Sequence, residues 1–404
     1  MKNTENKLEK IISLCKRRGF VFPGSEIYGG LAGVWDYGPL GVKLKNNIKN
    51  SWRNYFVLER NDIYEMDAAI LMNSKVWQAS GHEAGFSDPL VECKKCHRRF
   101  RADHLAEKKC PDCGGELTEE KHFNMMFKTS AGPVEDTANK VYLRPETAQG
   151  MFVNFGNIVD SFHPKLPFGL AQIGKAFRNE ITPKDLIFRS REFEQMEIEY
   201  FIKPPKNEEE WMPLFNQWVA DIKKWLENIG IRKENLHGFD VPQEDLAHYS
   251  KKTIDFQYDY PFKKDELLGF AYRTDFDLKA HGVTYRDEEA KEEFTPHVFE
   301  PSFGLDRLVL ALLCEAYTED EMGGEKRIFL KFKPNIAPVK VAIFPLLKNK
   351  PELVNKAKEV FAELKKEIRP IIFDDNGNIG KRYRRQDEIG TPFCVTIDFD
   401  TLEN

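Results

Sequence analysis

Two short segments decide the fold of this chain: Phe177-Arg178-Asn179-Glu180 and, further on, Phe188-Arg189-Ser190-Arg191-Glu192-Phe193-Glu194-Gln195-Met196-Glu197. The alternation along residues 193–200 predicts an antiparallel strand, so the segments form a hairpin around the polar loop 181–186. Each segment contributes arginine to one site from opposite sides of the hairpin. Guanidinium groups bind phosphate oxygens bidentately, so the hairpin predicts a nucleoside triphosphate site.

A second segment, Glu300-Pro301-Ser302-Phe303-Gly304-Leu305-Asp306-Arg307, precedes an apolar helical pattern that reaches Leu313. Gly304 lets the backbone pass close to a ligand, and Arg307 then lies where it can reach a terminal phosphate. A third segment, Arg144-Pro145-Glu146-Thr147-Ala148-Gln149-Gly150, offers a carboxylate upstream of the hairpin. Alone, the third segment could be only a turn and a helix cap.

Together these segments resemble the class II aminoacyl-tRNA synthetases. The hairpin residues that match motif 2 of that family are Arg178, Glu180, Arg189, Phe193 and Glu197. The segment that ends at Arg307 resembles motif 3, with Glu300 and Ser302 where the family usually has glycines. The segment from Arg144 resembles the substrate loop of the glycyl-tRNA synthetases of the homodimeric type.

Further matches to the glycyl-tRNA synthetases run from residue 19 to the C-terminus. They comprise 35–41, which resembles motif 1 and its dimer interface, and 80–82, 273–278 and 380–385. Two departures are visible: the motif 1 proline is absent from 72–76, and the anticodon domain of that family continues beyond Asn404. We therefore expect a shortened anticodon domain.

The resemblance implies an α+β fold, in which helices flank an antiparallel sheet. A catalytic domain would span 1–333, with a zinc-ribbon insertion at 90–118 and a mainly helical insertion at 203–260, and an α/β anticodon-binding domain would span 334–404. The implied reaction activates glycine with ATP to glycyl adenylate and pyrophosphate, then transfers glycine to the terminal adenosine of tRNA(Gly). Magnesium would bridge the phosphates, and the partner of the chain would be a second copy of itself.

The resemblance also assigns roles to individual residues. Arg178 and Arg307 would be catalytic. The ATP-binding residues would be Arg178, Asn179, Glu180, Phe188, Arg189, Ser190, Arg191, Glu192, Phe193, Glu266, Leu267, Gly304, Leu305, Asp306 and Arg307. The glycine-binding residues would be Arg101, Glu146, Phe193, Glu194, Gln195, Met196, Glu197, Glu300, Pro301, Ser302, Phe303 and Gly304. Those in contact with tRNA would be Lys381, Arg382, Arg384 and Arg385.

Glycine has no side chain, so its selection must rest on its ammonium group and on the lack of room for a β-carbon. The acidic residues of the site suit the ammonium group, and we expect Arg101 to meet the carboxylate.

Two Cys-x-x-Cys pairs, Cys93 with Cys96 and Cys110 with Cys113, predict a closed tetrahedral zinc site. The surrounding residues 91–113 carry seven basic side chains against four acidic ones. The insertion could therefore be a structural clip, a contact for RNA, or both. Four thiolates leave no open position, which argues against a catalytic zinc.

Composition narrows the class of protein. The chain has 404 residues and a net charge of -5, so any basic surface for RNA must be local. It has no apolar run of about 18 residues and no signal-peptide pattern, so we expect no membrane span. Seven cysteines, an odd number, favour a reducing cytoplasm over a disulfide framework.

Three alternatives remain open at this stage. The first is a class II synthetase for threonine, proline, histidine or serine, against which Glu146, Glu300 and Ser302 argue. The second is an inactive synthetase-like RNA-binding protein, against which Arg178 and Arg307 argue. The third is a zinc-ribbon nucleic-acid module without catalysis, which leaves most of the chain unexplained. Synthesis of diadenosine tetraphosphate is a conceivable side activity.

Overall fold

The structure is a computed structural model that describes residues 2–133 and 139–403. Its helices are α1 (Lys2–Arg18), α2 (Pro39–Arg53), α3 (Ser74–Ala79), α4 (His82–Gly85), α5 (Ala148–Phe162), α6 (Glu208–Ile229), α7 (Phe276–Ala280), α8 (Leu305–Ala316), α9 (Pro351–Glu367), α10 (Ile379–Ile389) and α11 (Asp400–Glu403).

Its strands are β1 (Val21–Pro23), β2 (Trp35–Tyr37), β3 (Ile63–Glu65), β4 (Leu71–Met72), β5 (Ser87–Glu92), β6 (Arg99–Arg101), β7 (Lys121–Asn124), β8 (Lys128–Ser130), β9 (Lys140–Leu143), β10 (Phe168–Phe177), β11 (Glu192–Ile202), β12 (Leu236–Asp240), β13 (Lys252–Asp259), β14 (Lys264–Thr274), β15 (Tyr285–Asp287), β16 (Glu292–Phe294), β17 (His297–Gly304), β18 (Tyr317–Met322), β19 (Glu325–Leu330), β20 (Val341–Pro345), β21 (Ile371–Phe373) and β22 (Phe393–Ile397).

A seven-stranded sheet in the order β12-β13-β14-β17-β11-β10-β3 carries the site. All neighbouring pairs are antiparallel except β10 with β3. The predicted hairpin is β10 and β11, with Gln172 opposite Glu197, and β17 pairs with the other edge of β11, with Ser302 opposite Glu197. This confirms the predicted α+β fold with an antiparallel sheet.

One face of the sheet packs on helices and forms the main core. Met196 of β11 and Phe303 of β17 point to this face, where Trp225 of α6 meets Phe303 with ring centroids 5.3 Å apart. Helix α8 follows β17 directly at Gly304, and it is buried along most of its length. Each fully buried large apolar side chain contributes about 1.5–3 kcal/mol to stability.

One predicted insertion is wrong. Helix α2 and the π-type turn Asn54–Leu58 form a continuous helical segment that ends at Leu58. Between residues 63 and 72, only Ile63–Glu65 and Leu71–Met72 are extended and paired. The segment 203–260 holds the long helix α6, but β12 and β13 within it belong to the main sheet, so it is not mainly a helical insertion.

The C-terminal part forms a separate three-stranded parallel sheet, in the order β21-β20-β22, with α9 packed against it. This confirms the α/β pattern predicted there. The Asn47 side chain of α2 donates hydrogen bonds to the Ile336 and Ala337 carbonyls, 3.0 and 2.9 Å away. These bonds connect the segment between β19 and β20 to the catalytic part. Within the ranges that the structure describes, no helix is long and apolar enough to cross a membrane.

Candidate active site

A cavity of about 310 Å³ opens between the hairpin, β14 and the end of β17. Of the residues assigned to ATP or glycine, it is lined by Arg101, Arg178, Glu180, Phe188, Arg189, Ser190, Phe193, Glu194, Gln195, Glu266, Leu267, Ser302, Gly304, Asp306 and Arg307. These residues come from five separate stretches of the chain. The fold therefore brings both predicted arginine motifs to one cavity.

Arg178 is oriented with its terminal nitrogens available. Its Nε donates to the Pro145 carbonyl at 3.1 Å, and its guanidinium carbon lies 5.3 Å from the ring centres of both Phe86 and Phe193. Within 2–133 and 139–403, neither terminal nitrogen has a hydrogen-bond partner. The guanidinium is thus fixed at one end and free to bind an anion at the other.

Arg307 lies across the same cavity, at the start of α8. Its Nη1 is 3.1 Å from both the carbonyl and a carboxylate oxygen of Glu266, and its guanidinium stacks over Phe188 at 4.6 Å. Arg189 and Glu180 also face each other at 4.0 Å, a distance too long for a hydrogen bond. The nearest atoms of that pair, Nη1 and Oε2, are buried, and neither has a partner in the described part of the chain.

Four residues of the predicted ATP set do not line this cavity. The Asn179 backbone N–H donates to the Met125 carbonyl, and Arg191 donates to the Glu180 and Ala32 carbonyls. Glu192 pairs with Lys175, whereas Leu305 is buried in the core. These residues support the hairpin or the core rather than the cavity wall.

Glu194 and Asp306 line the cavity, but their carboxylates are engaged with α2 and the strand before it. Lys45 lies 2.7 Å from Glu194 and 3.5 Å from Asp306, and Tyr37 donates a hydrogen bond to Asp306. Lys49 completes the set at 2.5 Å from Glu194. These partners were not predicted from the sequence, and they connect the motif 1 region to motifs 2 and 3.

A second cavity of about 320 Å³ adjoins the first and is acidic. Among its lining residues are Glu146, Glu197, Glu300 and Ser302, as predicted for glycine, together with Arg273 and Tyr249, which the prediction missed. Arg178, Gln195, Glu266 and Ser302 line both cavities. A ligand in one cavity therefore lies next to a ligand in the other.

Glu197 is the most completely supported carboxylate of the acidic cavity. One oxygen accepts hydrogen bonds from Ser302 at 2.6 Å and from Gln195 at 2.8 Å. The other accepts from the Thr147 backbone N–H at 3.2 Å and from the Thr147 hydroxyl. Burial, together with the charge of Glu146, nevertheless raises the pKa of Glu197 above its ordinary value.

The other carboxyl groups differ in their proton affinity. Burial, with the charges of Glu197 and Glu146, raises the pKa of Glu300 to about 8, even though Arg273 pairs with it. Burial would also raise the pKa of Glu146, but His82 lowers it below the ordinary value. Glu199 is fully buried, and neither of its oxygens has a hydrogen-bond partner in the described residues. Burial and Glu300 raise its pKa well above the ordinary value, which keeps it neutral.

The remaining glycine assignments need correction. Arg101 lines the first cavity only, and it pairs with Asp88 at 2.8 Å and Asp103 at 2.7 Å. The guanidinium groups that line the acidic cavity are instead those of Arg178 and Arg273. Met196, Pro301 and Phe303 are buried and line neither cavity.

The four cysteines of the insertion lie together, as the Cys-x-x-Cys spacing predicts. Their sulfur atoms are all within 4.8 Å of one another, with Cys93–Cys113 at 3.5 Å and Cys96–Cys110 at 3.6 Å. Four ligands at about 2.3 Å around a zinc ion would be about 3.8 Å apart. The backbone N–H groups of Lys95 and Cys96 point at the Cys93 sulfur, so the cluster fits a zinc ion.

Helix α10 carries the basic residues assigned to tRNA, but most of them bond within the chain. Arg382 is 1% exposed and donates to the carbonyls of Pro345, Asp375 and Gly377. It is therefore not available for an RNA phosphate, and the prediction for this residue is wrong. Arg385 pairs with Asp374 at 2.7 Å, and Arg384 donates to the Lys326 carbonyl. Only Lys381 of the four is exposed.

Comparison with known families agrees with this arrangement. The family model of the tRNA synthetase class II core domain (G, H, P, S and T) matches residues 127–317, and that of the anticodon binding domain matches residues 340–404. The fold and the site thus define a class II aminoacyl-tRNA synthetase.

Comparison with individual relatives identifies the family within this class to which the chain belongs. The chain is 50% identical to the glycine–tRNA ligase of Caldanaerobacter subterraneus subsp. tengcongensis, over 98% of this chain and 91% of the relative. It is 49% identical to that of Bacillus anthracis, over 98% and 93%, and 50% identical to that of Clostridium acetobutylicum, over 99% and 93%. The chain belongs to the glycine–tRNA ligase family.

Proposed function

We propose that this chain activates glycine with ATP and transfers it to tRNA(Gly). The observation that carries the proposal is the pair of adjoining cavities, one lined by arginines and aromatic rings and one by carboxylates. ATP would occupy the first cavity, with adenine against Phe193 and its amino group at Glu180. Glycine would occupy the second, with its ammonium group among Glu146, Glu197 and Glu300.

In the first step, a carboxylate oxygen of glycine attacks the α-phosphorus, and the bond to pyrophosphate breaks. Arg178 lines both cavities and has free terminal nitrogens, so we assign it to the charge that develops on the α-phosphate oxygens. Arg307 would hold the terminal phosphate. No protein nucleophile is needed, since positioning and charge stabilisation account for catalysis.

In the second step, a hydroxyl of the terminal adenosine of tRNA attacks the glycyl carbonyl carbon, and AMP leaves. The anticodon binding domain would hold the far end of the tRNA. Of the basic residues predicted for that contact, Lys381 is the exposed one and keeps this role in the proposal.

Two metal ions belong to the proposal. The Cys93, Cys96, Cys110 and Cys113 sulfurs would hold a structural zinc ion that closes the insertion. Magnesium bound with ATP would neutralise phosphate charge. Glu266 is the carboxylate in position to bind it, because it lines both cavities next to Arg307.

We also infer that the chain forms a homodimer and works in the cytoplasm, where tRNA is charged. Large apolar side chains are unusually exposed near the start of the motif 1 region: Ile27 is 88% exposed, Tyr28 87% and Leu31 60%. Patches of this kind mark protein interfaces. Sedimentation equilibrium should give twice the mass of the chain, and a monomer at micromolar concentration would contradict the inference.

The experiment that tests the activity is ATP–pyrophosphate exchange with each of the twenty amino acids singly. Exchange with glycine alone supports the proposal, and charging of tRNA(Gly) with labelled glycine would complete it. Exchange with another amino acid would keep the class and overturn the glycine assignment. No exchange from folded protein would favour an inactive RNA-binding relative.

A further inference from the structure

His82 lies directly behind the acidic cavity, at the start of α4. Its Nε2 is 3.3 Å from an oxygen of Glu146, and its Nδ1 is 2.9 Å from the Ser80 hydroxyl. Its ring is held between two aromatic rings, with centroids 5.5 Å from Trp77 and 5.2 Å from Phe86. The imidazole therefore has little freedom to turn away from Glu146.

The Glu146 carboxylate can only accept, so its contact with His82 places a proton on Nε2. The Ser80 hydroxyl, which also lies 3.5 Å from the Trp77 carbonyl, is within hydrogen-bond distance of Nδ1 and can donate to it. The side chains of His82 and Glu146 are only 12% and 14% exposed, so water competes weakly for this bond. A donor to a carboxylate in such a place is worth more than one at the surface.

The second oxygen of Glu146 is held from the opposite side. The Gln149 amide donates to it at 3.0 Å and also donates to Asp277 at 2.9 Å. The carbonyl oxygen of the same amide lies 2.8 Å from His281 Nε2. Glu146 is thus bound at both oxygens, and each oxygen keeps a lone pair that can face the cavity.

We propose that His82 is a positioning residue, whose Nε2–H holds Glu146 in the orientation that binds the glycine ammonium group. This inference rests on the proposed function. Glycine offers no side chain for recognition, so the placement of the carboxylates around its ammonium group must supply much of its affinity. A carboxylate released from His82 would rotate or take up a proton, and glycine would bind less tightly.

Two substitutions separate the hydrogen bond from the volume of the ring. His82→Leu removes the donor and keeps an apolar side chain between Trp77 and Phe86. We expect it to raise the KM for glycine in pyrophosphate exchange by about 10- to 100-fold, as for loss of a hydrogen bond to a charged group. The KM for ATP should change less than about twofold, because His82 does not line the first cavity. His82→Gln places an amide N–H near the position of Nε2 and should recover most of the glycine affinity.

Glu83→Gln is the matched control. Glu83 is the next residue in α4, but its carboxylate pairs with Lys140 at 2.6 Å and accepts a hydrogen bond from Tyr142. If His82 acts only by stabilising this segment, Glu83→Gln will raise the KM for glycine as well. We expect instead an unchanged KM for glycine. Ser80→Ala, which removes the hydroxyl from Nδ1, serves as a milder test if His82→Leu does not fold, and should raise the KM for glycine about 2- to 5-fold.

The outcomes distinguish this inference from the proposed function. Absence of glycine-dependent exchange in the unmodified chain would overturn both. An active unmodified chain whose KM for glycine is unchanged by His82→Leu would overturn only the role of His82. So would equal rises in the KM for glycine and ATP, failure of His82→Gln to recover affinity, or an equal effect of Glu83→Gln.

Discussion

Replacing Arg382 by methionine should destabilise the fold of the anticodon-binding part rather than remove a direct contact with RNA. The guanidinium is buried and donates to three backbone carbonyls. The Pro345 carbonyl is buried, so losing its charged donor costs about 1.5–3 kcal/mol. Asp375 and Gly377 lie nearer the surface, where water can replace the donor at about 0.5–1.5 kcal/mol each. The total is roughly 2.5–6 kcal/mol.

Calorimetry on the full chain should show this loss as a lower melting temperature of the C-terminal transition, by at least about 10 °C for a domain of this size. Lys381→Met is the matched control on the same helix. Lys381 is exposed, so its loss should shift the melting temperature by about a degree and reduce the salt dependence of tRNA binding by about one ion. An Arg382→Met chain that melts normally but binds tRNA poorly would refute this reasoning and restore Arg382 as an RNA contact.

Three further predictions follow from the site. Arg178→Ala should slow glycine-dependent exchange about 10²- to 10³-fold, because it removes the free donors at the junction of the cavities. Arg286→Ala, on an exposed hairpin, is the control and should not slow exchange. Equal exchange rates in the two variants would contradict the assignment of Arg178. Glu300 keeps its proton in the folded chain up to about pH 8 but loses it near 4.5 when unfolded, so it destabilises the fold increasingly as pH rises between these values. Glu300→Gln should therefore raise the melting temperature more at pH 8 than at pH 5, and a constant difference would argue against this shift. Metal analysis should find one zinc ion per chain, and Cys93→Ser should lose it. If this variant charges tRNA less well but keeps pyrophosphate exchange, the insertion contacts RNA. If both activities fall together, the insertion is a structural clip.

The sequence was sufficient to identify the segments that form the site. Within these segments, however, the predicted binding residues include some that do not line a cavity. The assigned range 193–197 includes Met196, and 300–304 includes Pro301 and Phe303, all of which are buried away from both cavities. Side chains alternate across a strand, so alternate residues such as Phe193, Gln195 and Glu197 belong to the cavity face. Applying this period of two to the motifs would have removed the three errors without any coordinates, but it would also have removed Glu194, which lines the first cavity.

Other errors could not have been avoided in this way, because they concern partners that are distant in sequence. Arg382 lies on a basic helix, and only the fold reveals that its guanidinium binds the Pro345 carbonyl, 37 residues away. Arg101 has its nearest anions at Asp88 and Asp103, which the family resemblance does not mention. Arg273, by contrast, lay within a recognised segment, but no pattern in that segment indicated that it would enter the acidic cavity. The sequence therefore shows which charged residues belong to a site, but it does not show which of them form ion pairs with each other.

The pairing of charges also explains why the acidic cavity suits an ammonium group. The buried guanidinium of Arg273 pairs with Asp277 at 2.8 Å and also lies near the carboxyl groups of Glu146, Glu199 and Glu300. Burial, together with repulsion from neighbouring carboxylates, raises the pKa values of Glu199 and Glu300, so the cluster does not favour the ionised form of all its carboxyl groups. A second cation relieves this repulsion, provided that it is small enough to enter. A neutral ligand of the same size would gain nothing from the excess of carboxylates, so under the proposed function we expect the charge of the ligand to contribute to its selection before the absence of a side chain does.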